Sequence, residues 1–188
     1  MIEVNTDRWI KNGQEWSVAP AGLKWIDEGT IVKIGKGVKI GKDLKIEIGA
    51  IIGDEAMIFE GVEMESGVEI GARATIAKWV RIGHGAKIGD QSTIGQGTML
   101  GAGVTLDVHS MVGEWVQIGS MSKIGKWVSI GDRAKIEGGV QIEAYAVVGK
   151  TARVCVGTKI GEGAKIVEDA TIRANSTIAE WETRAIGL

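Results

Sequence analysis

At 188 residues the chain suits one domain, but 29 glycines against one proline and 5% aromatics exclude a conventional mixed core and mark frequent turns. A net charge of −2, with basic residues spread along the chain, gives no nucleic-acid footprint and no polybasic membrane anchor. Cys155 is the single cysteine, so no intrachain disulfide forms; with no apolar run long enough to span a membrane and no signal-peptide core in residues 1–13, a soluble, cytoplasmic protein is expected.

The first element is WIKNGQEW, Trp9–Trp16, which reads as a hairpin turning at Asn12-Gly13. Pro20 separates it from the rest of the chain. Residues 1–24 are expected to cap an exposed sheet edge, in the same domain as residues 25–188. From Ile34 the chain repeats every six residues, as IGKGVK, IGKDLK and onward to IAEWET, which ends at Thr183. That makes twenty-five blocks without insertion or deletion. Position one is always Ile, Val, Leu or Met. Position five is Val, Leu, Ala, Ser or Thr until Glu182 breaks the pattern.

A six-residue period is too short for a helical repeat and fits one side of a coiled β-solenoid. The large aliphatic fills the interior, and the small residue fits beside a corner. Gly, Asn or Asp near position four suits the positive φ that a corner needs. The blocks match [LIV]-G-x-x-[STAV]-x over about four-fifths of the chain. In this the chain resembles the bacterial transferase hexapeptide-repeat family. The resemblance implies an all-β fold: a left-handed parallel β-helix with three hexapeptides per coil and a little over eight coils. It also implies a homotrimer.

Residues eighteen apart then stack, and the outward positions sort into three faces. One face reads Lys39, Met57, Thr75, Thr93, Met111, Ser129, Val147 and Lys165. Its middle, Met57 to Val147, carries no charge and is the expected oligomer face. The other faces carry Lys45, Glu63, Arg81, Lys135 and Arg153, or Glu69, Lys87, Lys123 and Lys159. One corner is nearly all glycine. Another stacks Arg73, Gln91, His109, Trp127 and Tyr145, with Trp181 further on, and the third carries Trp25, Trp79 and Trp115. His109, Trp127 and Tyr145 are candidates for binding a small molecule or saccharide. Stacking along the corner is the favoured reading of the aromatics.

His84 lies in RIGHGAKIGD. Hexapeptide acyltransferases carry their catalytic histidine in a similar phrase, matched here by Ile82, His84, Gly85, Ile88, Gly89 and Asp90. The resemblance implies that His84 would take a proton from an acceptor attacking the thioester of coenzyme A or acyl carrier protein. The glycine corner is expected to border the uncharged face, with His84 in a cleft between subunits and His109 on its far border. The rest of the phrase is what the repeat supplies anyway, and no inserted loop provides an acceptor pocket.

The γ-class carbonic anhydrases share the fold, but their I-G-H-x(4)-H phrase would need a histidine where Gly89 stands. No metal site is expected. The first reading is therefore a rigid structural or binding scaffold that requires no cofactor. The alternative is an acyltransferase with His84 as general base, using coenzyme A or another acyl thioester.

Overall fold

In a computed structural model of the chain, residues 2–4, 8–11 and 31–184 are described. From Ile34 onward each block builds one unit: a tight corner between short strands. In Arg81–Ile82 the first residue is exposed and the second buried, the two-residue strand period at its shortest. Three units close a coil, and each strand pairs with the strand eighteen residues on.

The pairing builds three sheets, of 10, 8 and 10 strands. Face one stacks Met57, Thr75, Thr93, Met111, Ser129 and Val147. Face two stacks Glu63, Arg81, Met99, Gln117, Lys135 and Arg153. Face three stacks Glu69, Lys87, Thr105, Lys123, Gln141 and Lys159. The result is a left-handed parallel β-helix of about eight turns.

The parallel stack ends at its N-terminal side in reversed strands. Ile2–Val4 pairs antiparallel with Val38–Ile40, and Arg8–Lys11 with Ile31–Ile34. Reversed strands satisfy backbone groups that an open edge would present to other chains. The expected Asn12-Gly13 turn lies outside the described residues.

The core is one column of aliphatic side chains, among them Ile76, Ile82, Ile94 and Ile124, all essentially inaccessible. Hydroxyls at position five are buried too, and they find carbonyls. Ser92 donates to Asp107 O at 3.0 Å, Thr98 to Gly113 O at 2.8 Å and Ser122 to Glu137 O at 3.0 Å. That pairing avoids the roughly 1–3 kcal/mol cost of an orphaned buried donor. Just past the last block Arg184 takes the inward place of the aliphatic and pairs with Glu182 at 2.7 Å, so the break in the repeat brings its own ion pair.

The corners depart from the sequence expectation. The fourth residue of every block has a positive φ, between 56° and 79°, yet fifteen of these residues are not glycine. Trp79, Trp115, Trp127 and Trp181 are among them. A side chain in this conformation costs about 1 kcal/mol. The stack offsets it, because from Glu55 onward each such N–H donates to the coil below: Trp79 to Glu60 O at 3.1 Å, Trp115 to Gln96 O at 2.8 Å.

Candidate functional site

His84 is exposed at a corner. The chain enters that corner from the face-two strand Arg81–Ile82 and leaves it into the face-three strand Lys87–Ile88. This corrects the expectation that the glycine corner borders the uncharged face. The face-one strands are Thr75–Ile76 and Thr93–Ile94, one corner away on either side. His109 does border face one, between Thr105–Leu106 and Met111–Val112. The two histidines sit on different corners, so no cleft along face one holds both.

The His84 ring has one hydrogen-bonding partner in the coil below: Nδ1 lies 2.9 Å from Ser66 Oγ. A hydroxyl can donate or accept, so it holds the ring without fixing its tautomer. If Nδ1–H donates to Ser66, Nε2 is the free base. If Ser66 donates, Nε2 carries the proton and cannot accept one. The nearby carboxylate of Glu65 is spent elsewhere, accepting the backbone N–H of His84 at 2.8 Å. The imidazole therefore lacks the carboxylate or carbonyl partner that would orient a catalytic base.

An open groove of about 690 Å³ runs along face two beside this corner. Gly83, Gly101 and Gly119 keep it clear in three successive coils, and Glu65 and Glu137 stand among its walls. His84 itself does not line it. Glu137 is engaged as well: it bonds the Arg153 guanidinium and accepts Val156 N–H at 3.0 Å. Arg153 first, and then that N–H, hold its carboxyl below the usual carboxylate range. Sequence reading missed Ser66, Glu65 and Glu137. The signal was present: a polar residue at position two or three can reach the neighbouring coil. Asp90 does so, accepting Ala72 N–H at 2.8 Å.

The aromatic corners are stacks. His109 and Trp127 lie parallel, with ring centroids 4.1 Å apart and planes 13° from each other. Each of Trp79 and Trp115 lies on the glycine of the coil below, where a Cβ at Gly61 or Gly97 would strike the indole. Tyr145 is half-exposed one coil above Trp127. These aromatics, with Trp181, occupy only the two corners that flank face one. Met111 and Val147 are exposed on the face between them. Among the described residues no group of three or more His, Cys, Asp or Glu side chains could hold a metal ion, and no helix is long and apolar enough to cross a membrane.

Residues 61–96 match the bacterial transferase hexapeptide (six repeats), and residues 111–144 match the hexapeptide repeat of succinyl-transferase. No curated protein matches the chain in sequence. Among solved structures it is similar to the UDP-N-acetylglucosamine acyltransferase of Francisella novicida, with a TM-score of 0.68 and 19% identity over 79% of this chain and 65% of that one. The Moraxella catarrhalis UDP-N-acetylglucosamine O-acyltransferase gives 0.51 and 14%, over 77% of this chain and 64% of that one. The Arabidopsis UDP-N-acetylglucosamine acyltransferase gives 0.50 and 16%, over 81% and 68%. At these identities the likeness shows the shared fold. The chain spans about two-thirds of the length of these proteins.

Proposed function

The chain belongs to the bacterial transferase hexapeptide-repeat family, and within it we propose a rigid scaffold that works through contact surfaces, without a complete catalytic site of its own. One observation carries this reading: from Ile34 to Thr183 every block is a tight corner and a short strand. Nothing in that span projects to wall off a substrate. Positioning supplies much of an enzyme's rate, and His84 stands on an exposed corner with its ring held only by Ser66. The contact surface is face one from Met57 to Val147, framed by its aromatic corners. Its partner on this reading is another copy of the chain.

A second reading has its own support. The Ser66 contact leaves Nε2 of His84 open, and the face-two groove begins at the adjacent Gly83. An acyl thioester laid in that groove would make the protein an acyltransferase with His84 as general base. Titration with acetyl-CoA, followed by melting temperature, separates the two. A ligand at one hundred times its Kd stabilises the folded state by about 2.7 kcal/mol. The scaffold reading predicts no shift at millimolar acetyl-CoA. A rise that disappears in His84→Ala would replace it with the enzyme reading.

A further inference from the structure

Side chains at position three stack along each corner, because residues eighteen apart lie one coil apart. On the corner between faces two and three, Ser66 is followed eighteen residues on by His84. The contact is direct: Ser66 Oγ lies 2.9 Å from His84 Nδ1. That is the separation at which a base can take the proton of a nucleophile. Ser66 is half-buried and His84 is exposed, so a small molecule reaches the pair from solvent.

The backbone of Ser66 is open as well. On this corner a glutamate at position two reaches up one coil and accepts the amide nineteen residues on. Glu65 accepts that of His84 at 2.8 Å, and Glu137 that of Val156 at 3.0 Å. Glu47 holds the corresponding place below Ser66, but its carboxylate turns to Lys45 at 3.3 Å. Among the described residues the Ser66 N–H has no acceptor. An amide on the nucleophile's own residue can donate to the oxyanion that forms when an acyl carbon is attacked. Ser120 supplies the contrast. It stands three coils higher in the same column, exposed, with Ala102 below it and Gly138 above, and has no imidazole beside it.

We propose that Ser66 is a covalent acylation site, with His84 as the base that activates it, and that its acyl donors are small activated esters. In the tautomer where Ser66 donates, Nδ1 takes the hydroxyl proton as Oγ bonds to the acyl carbon. The tetrahedral intermediate collapses, the bond to the leaving oxygen breaks, and Nδ1 returns the proton to the departing alcohol or phenol. The products are the acylated serine and that alcohol or phenol. A serine ester has a poorer leaving group than an aryl ester, so the acyl-serine accumulates. The step differs from the acyltransferase reading, in which Nε2 would deprotonate an external acceptor. It needs no walled pocket, so it stands or falls apart from the scaffold reading.

The test is acetylation of the full chain by p-nitrophenyl acetate, followed by p-nitrophenolate release and by peptide mass. The expected result is a stoichiometric burst with the acetyl group on Ser66. Ser120 should be labelled about a hundredfold more slowly, the help a general base gives at the lower end of its range. Ser66→Ala should remove the burst. His84→Ala should slow labelling of Ser66 by a similar factor, and free imidazole added to that variant should restore much of it. Neither side chain is in the core, so both variants should melt within a few degrees of the original. Rescue marks a base, since a chain that had merely lost its shape would not regain it from a small solute. Acetyl groups on lysines or on Cys155 with none on Ser66 would overturn the proposal. So would equal labelling of Ser66 and Ser120, or a rate at Ser66 indifferent to His84. Each of these outcomes leaves the scaffold reading untouched.

Discussion

Ile94→Asp should abolish the cooperative thermal transition, whereas Thr93→Asp should leave it within a few degrees of the original. The residues are neighbours in one two-residue strand. Ile94 is fully buried in the central column, between Ile76 one coil below and Val112 one coil above. A carboxylate there has no partner, and burying a charge unpaired is among the few changes that cost more than about 4 kcal/mol. Thr93 points outward on face one and is exposed. Its replacement should instead show in the mass of the assembly, because it sets a charge into the uncharged surface. Circular dichroism on heating reads the first effect, and light scattering reads the second. Similar melting losses in both variants would contradict the assignment of inward and outward sides.

Excising six residues should damage assembly more than excising eighteen. Removing residues 91–96 keeps the hexapeptide order, so the solenoid closes again, but everything above the cut turns by one face. The column above Thr75 would become Met99, Gln117, Lys135 and Arg153, and the uncharged surface would end halfway. Removing residues 91–108 takes out one whole coil. It returns Met111, Ser129 and Val147 to the positions above Thr75. Solenoid stability is close to a sum of repeat and neighbour terms, so the longer excision should melt lower. The shorter one should melt higher and yet run as a monomer. A shorter variant that assembles normally would show that the faces do not carry the contact.

The fold was legible because its rule is local. Position one faces inward at Ile34 and at Ile178 alike, and six residues suffice to state it. The stacking of Met57, Thr75 and Thr93 followed from counting by eighteen. So did the stacking of His109 on Trp127, since both lie one coil apart on one corner. The faces that border each corner follow from counting as well, but the expectation for one corner misread them. His84 was assigned to the wrong border because residues 83–86 belong between the strands on either side of them in the chain, neither of which is on face one. Tryptophan in a positive-φ corner was also out of reach of residue preferences, because the compensation comes from another coil. Trp115 is tolerated by a carbonyl at Gln96 and by the missing side chain of Gly97, nineteen and eighteen residues away. The partners of His84 were hidden for the same reason: Ser66 and Glu65 are its neighbours only after the chain has wound once.

A structure of the assembled protein at saturating coenzyme A tests the central claim most directly. The scaffold account predicts copies meeting through the surface from Met57 to Val147 and no ordered pantetheine near His84. Coenzyme A ordered in the face-two groove, with its thiol end within hydrogen-bonding distance of His84 Nε2, would contradict it.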